Sequence, residues 1–290
     1  MQFGKIDSVE GIDFVLPPDD PQSIFGIKGK GLPPIYIGCA KWGRKDLKGF
    51  YPRGTKDELT YYSSQFNSIE LNAVFYNYSK DQVEKWREKT PQGFKFFPKV
   101  NQRISHWGRL KDVSNEVTEY CDAMSLFEDR LGMVFLQLIE NFRHEKNFER
   151  LNDFISQWPK AFPLAVEVRS MDWFADPAYY ELLEQHQVSH VITDTAGRRD
   201  LLHMRLTSPK AFVRYVGAND PSDYARLDDW VMRIGDWIEK GIEEVYFFVH
   251  QNIELESPLL TAYFIEQLNT KFGYQLKLPN RDGQRQGNRV

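Results

Sequence analysis

Charged residues stand near the carboxyl ends of five apolar, strand-like runs of this 290-residue chain. The runs read SIELN, FKFFPKV, LAVEVR, VSHVITD and AFVRYV. A charge removed from water needs a partner, and perturbed charges gathered in one place are typical of a functional site. We therefore expect one polar site that contains Glu70, Lys99, Glu167, Arg169, Asp194 and Arg214.

Side-chain alternation predicts which way these residues face. Successive side chains of a strand point to opposite faces, so residues two apart share a face. In LAVEVR the apolar residues Leu164, Val166 and Val168 would cover an outer face, which leaves Glu167 and Arg169 inside. The same argument assigns the following residues to the interior: Glu70, Asn72, Lys99, Gln137, Asp194, Arg214 and His250.

Carboxylates and cations at one place favour acid/base chemistry on an anionic ligand. We assign proton transfer to Glu70, Glu167 and Asp194. Arginine forks match phosphate or carboxylate oxygens, lysine adds a compact charge, and flat aromatic faces suit stacking. The expected ligand-binding residues are Lys99, Asn72, Gln137, Arg169, Arg214, His250, the loop residue His106, and Trp42 and Trp173, which follow strand ends.

Other interpretations of the same residues stay open. Glu70 and Glu167 would suit glycoside cleavage if their carboxyl groups were about 5 to 9.5 Å apart. Lys99 would serve as a protonated cation, which nearby carboxylates favour, or as a Schiff-base nucleophile if it loses its charge. The cluster would also serve as a structural ion network, although stability alone is a weak reason to keep buried ion pairs.

Neither a metal nor a cofactor is assigned from the sequence. Glu70, Glu167, Asp194 and His250 carry donor atoms that divalent metals accept, but three neighbouring cations would repel such an ion. The leading interpretation is an acid/base hydrolase, lyase or isomerase that acts on a small anion. The alternatives are a non-catalytic protein that binds nucleic acid or another phosphodiester, and a divalent-metal-dependent hydrolase or isomerase.

The elements that position these residues alternate along the chain. Eight apolar runs begin near residues 35, 68, 94, 132, 163, 188, 211 and 245, with helical periodicity after each run except the sixth. Eight strand-then-helix units predict an α/β fold of the TIM (β/α)8-like barrel type, whose active sites lie at the carboxyl ends of the strands. The predicted organisation is an N-terminal extension over 1–34, the barrel domain over 35–278, and a polar C-terminal tail over 279–290. An open doubly wound sheet is the alternative, but no Gly-rich phosphate loop follows the first run.

Composition limits the surroundings and partners of this chain. Lys plus Arg number 37 and Asp plus Glu number 41, so the net charge of −4 provides no overall attraction to a polyanion such as nucleic acid, and a local basic cleft would be needed. Two cysteines, Cys39 and Cys121, predict free thiols in a reducing compartment. The chain shows no apolar stretch of about 18 residues and no secretory leader, so we expect a cytoplasmic protein without a membrane partner. Composition does not determine the oligomeric state.

Several stretches of the chain resemble the YecE-like family, the bacterial domain of unknown function 72. They are IGCAKW with GFYP, YYSSQFNSIELNAVFYNYS, TPQGFKFFPKVNQRISH, DRLGMVFLQL, LAVEVRSMDWF and VRYVG, and the resemblance runs from about residue 35 to residue 252. The resemblance implies a TIM-like barrel and supplies no established reaction. The chain departs from the family pattern at IENF after the fourth run and at FVHQN after the last run.

Overall fold

The computed structural model describes residues 4–280 of the chain, and nearly all of the predicted C-terminal tail lies outside them. Eight strands form, one for each apolar run, so the predicted alternation is confirmed. All strand pairings are parallel. The strands are β1 (Ile35–Cys39), β2 (Ser68–Leu71), β3 (Lys95–Pro98), β4 (Val134–Gln137), β5 (Leu164–Glu167), β6 (Ser189–Thr195), β7 (Lys210–Gly217) and β8 (Glu244–Gln251).

Helices separate the strands, and local signals mark several of their ends. Asp57 caps the first helix by accepting a hydrogen bond from the Thr60 amide, and Gly241 ends the seventh with a left-handed φ of 95°. Only a 3-10 helix follows β6, as the sequence predicts. The α-helices are α1 (Glu58–Gln65), α2 (Ala73–Tyr76), α3 (Lys80–Glu88), α4 (Ser114–Met124), α5 (His144–Gln157), α6 (Pro177–Gln185), α7 (Ser222–Lys240) and α8 (Ser257–Phe272).

The strands form two parallel sheets. One curled sheet has the order β1-β8-β7-β6-β5-β4, and β2 pairs with β3 in a second sheet. Between β3 and β4 the contact is limited to isolated bridges, in which the Gly132 amide donates to Phe96 O (2.7 Å) and the Val100 amide donates to Phe135 O (2.9 Å). The predicted closed barrel is therefore shown only in part, as a half-barrel of six strands with a neighbouring pair.

A side chain replaces the backbone ladder between β1 and β2. Asn67 accepts from the Ile37 amide (2.8 Å) and donates to Ile35 O (2.8 Å), so it satisfies backbone groups that a strand partner would otherwise satisfy. Gly38 permits the close approach, because a Cβ atom there would lie 2.1 Å from Ser68 O. The two sheets therefore remain in contact at a junction that strand-pairing rules alone do not predict.

Apolar side chains pack in an outer and an inner layer. The outer layer joins the strands to the helices and contains Ile69, Val134 and Val166, as alternation predicts. The inner layer draws on both sheets, so the concave faces of the six-stranded sheet and the pair enclose one core. This inner layer consists of Phe97, Met133, Phe135, Ala165, Val191, Phe212, Tyr246 and Phe248, with Tyr36 packed against it.

The N-terminal extension is an ordered arm that packs on α7 and on the segment after β6. Asp19 accepts hydrogen bonds from Arg233 (2.5 Å) and Trp237 (2.9 Å) and pairs with Lys240. The ring of Phe14 covers the guanidinium of Arg226 at 4.7 Å. Within residues 4–280, no helix is both long and apolar enough to span a membrane. Both cysteines are free, as predicted, and both are buried.

Candidate functional site

Arg214 on β7 is the centre of a buried ionic cluster at the carboxyl ends of the strands. Its Nε donates to Glu70 Oε2 (2.9 Å) and its Nη2 to Glu70 Oε1 (2.9 Å), which makes a bidentate pair across the space between the two sheets. Its Nη1 donates to Glu167 Oε2 (2.6 Å). The side chains of all three residues are at most 1% exposed. One guanidinium therefore ties β2, β5 and β7 together.

Both carboxylates accept further hydrogen bonds from neighbouring side chains. Glu70 is also bonded to His250 Nε2 (2.9 Å) and Asn72 Nδ2 (2.8 Å). Glu167 accepts from Gln137 Nε2 (2.8 Å) and from Arg169 Nε (3.1 Å). The structure therefore brings together eight of the predicted site residues, counting Lys99, which donates to Gln137: Glu70, Asn72, Lys99, Gln137, Glu167, Arg169, Arg214 and His250.

The two carboxylates stay ionised at neutral pH. Burial alone would raise the pKa of Glu167, but Arg214 and Arg169 outweigh it and lower that pKa to about 2. Burial acts in the same way on Glu70, and Arg214 and His250 lower its pKa well below the usual range. A general acid for glycoside cleavage must hold a proton near neutral pH. The low pKa of both carboxyl groups therefore disfavours the glycosidase interpretation.

Lys99 differs from the other charges of the cluster. Its side chain follows β3 and is 6% exposed, and its Nζ donates to the neutral amide oxygen of Gln137 (2.7 Å) while lying 4.1 Å from the ring centre of Phe75. Burial and then the charge of Arg214 lower the pKa of Lys99 to about 7, although Glu167 opposes the shift. A substantial fraction of this amine is therefore neutral at physiological pH.

His106 lies beside Lys99, on the segment after β3. This segment forms a π-helical turn over Arg103–Trp107, a rare element that is frequent at functional sites. The His106 ring packs edge-on against Phe75 at 4.8 Å, and its Nδ1 shares a hydrogen bond with Ser105 Oγ (2.9 Å). Burial and the charge of Lys99 lower the pKa of His106 to about 4, so the ring is neutral.

Backbone strain is concentrated next to this turn. Six non-glycine residues have positive φ within residues 4–280, and three of them, Arg109, Leu110 and Asp112, fall in one stretch of four. Such conformations persist only where the surroundings enforce them, and they cluster at functional sites. The strain supports the assignment of the segment after β3 to the site.

Asp194 lies on the opposite face of its strand from the position predicted. Val191 belongs to the inner apolar layer, so Ile192 and Asp194 face outward toward α7. There the Asp194 carboxylate accepts from Arg226 Nη2 (2.9 Å) and from Trp230 Nε1 (2.8 Å). Ile192 and Asp194 do share a face, as predicted, but both faces of the run VSHVITD mix polar and apolar residues, so the run gave no sign of which face it was. The prediction that Asp194 lines the interior is wrong.

The two predicted tryptophans also lie away from the ionic cluster. Trp173 is fully buried, donates to Phe142 O (2.8 Å) and packs between Phe142 and Tyr179, so it belongs to the outer core. Its prediction as a ligand-binding residue is wrong, because a 3-10 turn after β5 directs it toward the helices. Trp42 is half-buried and packs edge-on against Trp86 of α3 at 5.5 Å.

Exposed apolar side chains on the loops after the strands surround the cluster. Tyr76 and Trp107 are both 69% exposed, Ile253 is 63% exposed and Met171 is 53% exposed. They follow β2, β3, β8 and β5. Sequence reasoning missed Met171 and Ile253, for which exposure is the only signal. It also missed the role of Phe75 as the surface under the Lys99 amine, because α2 is too short for periodicity to orient.

The described residues offer no clear metal site. Within residues 4–280, no group of three or more His, Cys, Asp or Glu side chains is arranged as metal ligands. Of the four donors that the sequence offered, Asp194 faces outward and Glu70 and Glu167 are occupied by Arg214. The sequence alternative of a divalent-metal site therefore gains no support from this geometry.

The parallel strands, the helices that follow them and the ionic cluster at the strand ends define an α/β protein with a polar site at one end of a half-barrel. The chain belongs to the family described as "Protein of unknown function DUF72", whose model matches residues 36–284. The resemblance to the YecE-like family is thereby confirmed. No specific function or substrate follows from this membership.

Relatives and a solved structure agree with the family assignment. The chain is 28% identical to UPF0759 protein YecE of Escherichia coli K12 over 261 residues, which covers 81% of this chain and 92% of that protein. It is 32% identical to UPF0759 protein YunF of Bacillus subtilis 168 over 162 residues, 51% of this chain and 55% of YunF. The crystal structure of a DUF72 family protein from Enterococcus faecalis V583 shares the fold, with a TM-score of 0.66 at 19% identity over 84% of this chain and 99% of that one.

Proposed function

We propose that this protein is an enzyme that binds a small anionic molecule at the carboxyl ends of its strands and transfers a proton on it. In this proposal the half-barrel and the β2–β3 pair act together as a TIM-like barrel, and the loops around the ionic cluster form its mouth. The observation that carries the proposal is the buried Lys99 amine, whose pKa of about 7 suits a proton-transfer group at cellular pH.

The charge of the cluster supports an anionic ligand. The sequence suggested three carboxylates against three cations, but Asp194 lies outside the cluster. Glu70 and Glu167 then balance Arg214 and Arg169, and any proton on Lys99 adds one uncompensated positive charge. A phosphate or carboxylate would offset this charge. Arg169 is the arginine of the cluster with measurable exposure, since 14% of its side chain is accessible, so it is the candidate to meet the ligand.

Each residue then has a distinct task. Lys99 donates or accepts the proton, and Arg169 holds the anion. Arg214, Glu70 and Glu167 form a fixed frame, because an ion pair that is already organised needs no rearrangement during the reaction. The neutral ring of His106 is a second acceptor or donor at the same surface of Phe75.

Hydrogen–deuterium exchange tests the proposal without knowledge of the product. A panel of phosphorylated and carboxylated metabolites is incubated with the protein in D2O, and loss of carbon-bound protons is followed by NMR. We expect exchange with at least one compound, no exchange with Lys99→Met, and weaker binding with Arg169→Met. Arg198→Met is the matched control, since Arg198 is also an arginine paired with carboxylates, but its partners Glu140 and Asp200 lie at the surface.

Thermal unfolding with the same panel provides the binding readout. A ligand at about 100 times its dissociation constant stabilises by about 2.7 kcal/mol, which corresponds to a rise of about 4 °C in Tm for a chain of this length. Equal responses of the wild type and Arg169→Met to every anion would overturn the binding assignment. Binding without proton exchange for any compound would overturn the enzymatic one.

A phosphodiester-binding protein is the second candidate, and one observation favours it. The loop between β1 and α1, residues 40–57, contains six Lys or Arg against two Asp, a net charge of +4 in a chain of −4. With the exposed Tyr76 and Trp107, it offers the cations and stacking surfaces that single-stranded nucleic acid requires. Retention on single-stranded DNA that falls steeply between 50 and 200 mM salt would support this candidate, and passage without retention at 50 mM would reject it.

A further inference from the structure

Lys99 is the one lysine that is buried among residues 4–280. A buried ammonium is normally paired with a carboxylate, because an unpaired buried charge costs several kcal/mol. The Lys99 amine instead donates to Gln137 Oε1, and no carboxylate oxygen lies within ion-pair distance of it in the described structure. These surroundings therefore favour the neutral amine over the ammonium form.

Gln137 separates the amine from the nearest carboxylate of the cluster. Its Oε1 accepts from Lys99, and its Nε2 donates to Glu167 Oε2 (2.8 Å). An amide can span the gap in this way with both ends satisfied, whereas a second carboxylate at this position would bind the ammonium directly. The charged and titratable groups that act on the amine are Arg214, Glu167, Arg169 and Glu70 from the strands, and His106 from the π-helical turn.

On this basis, and resting on the proposed function, we infer that Lys99 is a nucleophile that forms an imine with an aldehyde or ketone bearing a phosphate or carboxylate group. A desolvated lysine close to other cations is one of the known ways to activate this amine. The Arg169 guanidinium would receive the anionic group, and the Phe75 ring would hold the amine in place. The substrate class is thereby narrowed from small anions to anionic carbonyl compounds.

The reaction is balanced without an external oxidant or reductant. The lone pair of Nζ attacks the carbonyl carbon, the carbonyl π electrons move to oxygen, and the proton released by nitrogen is transferred to that oxygen. The nitrogen lone pair of the resulting carbinolamine then forms the C=N bond as the C–O bond breaks, and the second proton of the nitrogen joins the departing hydroxyl group to give water. Amine plus carbonyl therefore gives imine plus water. Once protonated, the imine withdraws electrons from the adjacent C–H bond and makes its proton easier to remove. Because Lys99 is then part of the imine, the neutral ring of His106, the second acceptor of the proposed function, takes that proton.

Reductive trapping tests the inference. The full-length protein is incubated at pH 7 with pyridoxal 5′-phosphate, which carries both an aldehyde and a phosphate, and borohydride then reduces any imine to a stable secondary amine. A pKa of about 7 leaves about 1,000 times more neutral amine at this pH than an ordinary lysine pKa of about 10.4. Allowing for restricted access, we expect Lys99 to be labelled at least about tenfold faster than any exposed lysine, as mapped by peptide mass spectrometry.

Two variants make the result decisive. Lys99→Met should lose the fast label, whereas Lys95→Met, the control from the same strand, should keep it. Gln137→Glu places a carboxylate on the amine and should move the labelling profile to higher pH by one unit or more. If Lys99→Met does not fold, the Gln137→Glu profile still decides the matter. A profile that does not move would refute the role of Gln137 and the inference with it.

The covalent step and the underlying proposal fail in different ways. If Lys99 is labelled no faster than exposed lysines while Arg169-dependent anion binding persists, the imine is wrong and acid/base catalysis stands. If neither labelling nor anion binding occurs, the proposed function fails as well. Trapping of Lys99 by pyruvate in addition to pyridoxal 5′-phosphate would extend the inference to carboxylate-bearing ketones.

Discussion

Replacing Arg214 by methionine should be among the most destabilising single changes in this protein. The substitution keeps much of the volume but removes three hydrogen bonds to carboxylates, two to Glu70 and one to Glu167. Both carboxylates are at most 1% exposed and would remain as uncompensated buried charges. Removal of one member of a buried ion pair typically costs about 3 to 5 kcal/mol.

The remaining partners limit the size of this loss. Glu70 keeps His250 and Asn72, and Glu167 keeps Arg169 and Gln137. We therefore expect a loss of about 4 kcal/mol at pH 7, rather than the sum for two independent pairs. This is a large share of the roughly 5 to 15 kcal/mol by which a typical domain is stable.

The loss should depend on pH with a definite sign. The pKa of Glu167 is about 2 in the folded wild type and 4.5 in the unfolded chain. The ionised carboxylate therefore stabilises the folded state, and this contribution is fully present above pH 4.5. That contribution, on the order of 3 kcal/mol, disappears as the pH falls toward 2. The Arg214→Met variant raises the folded pKa of both carboxylates, so its deficit relative to wild type should shrink from pH 7 to pH 3.

Urea unfolding followed by circular dichroism at pH 7, 5 and 3 measures this difference. Arg198→Met is the control, because the Arg198 side chain is 23% exposed and its partners Asp200 and Glu140 lie at the surface. Exposed pairs contribute about 0 to 1 kcal/mol, so the control should stay within that range. A loss below 1 kcal/mol for Arg214→Met at pH 7, or a deficit that grows toward acid pH, would contradict the proposed burial and pairing of the cluster.

Two other regions give tests by urea unfolding. Gly38→Ala should lower the free energy of unfolding by about 1 to 3 kcal/mol, because the new Cβ atom would collide with Ser68 O. The control Gly29→Ala has open space around the new Cβ atom and should change that free energy by no more than about 0.5 kcal/mol. Equal effects of the two substitutions would refute the close approach of β1 and β2. Burial lowers the pKa of His190 and, to about 4, that of the stacked His203, so wild-type stability should fall as the pH drops from 6.5 toward 4. His190→Phe removes two ring nitrogens that have no hydrogen-bond partners, so the unfolding free energy of this variant should fall less steeply with pH, by up to about 1.4 kcal/mol per pH unit. A pH dependence equal to that of the wild type would refute the contribution of His190.

Periodicity predicted the strands and the inward residues of this protein well where one face was clearly apolar. Each of Glu70, Gln137, Glu167 and Arg214 has an apolar residue on both sides in the sequence, and the structure joins the four side chains through hydrogen bonds. Asp194 ends a run that mixes polar and apolar residues on both faces, and its strand is covered by α7 on one side and by the inner layer on the other. Alternation then relates residues to one another but does not say which set faces inward.

Contacts between segments distant in the sequence account for the rest of what the sequence did not predict. The Asn67 side chain substitutes for a ladder between β1 and β2, and nothing in the local sequence predicts such a substitution. The same holds for the lowered pKa of Lys99. The sequence argument expected nearby carboxylates to keep the amine protonated, but the structure assigns those carboxylates to Arg214 and Arg169 and leaves Lys99 with Gln137.

The balance of charges separates structural pairing from function in this cluster. Arg214 and Arg169 match Glu70 and Glu167 on the inner face, and Arg226 and Arg199 match Asp194 and Asp223 on the outer face, so both groups are explained by mutual neutralisation. Lys99 has no such match. Its contact with Phe75 contributes about 0.5 to 2 kcal/mol, less than the several kcal/mol that burial of an ammonium costs. Packing does not explain a lysine at this position. We therefore expect Lys99→Met to leave the free energy of unfolding unchanged or to increase it, and to reduce only the catalytic activity.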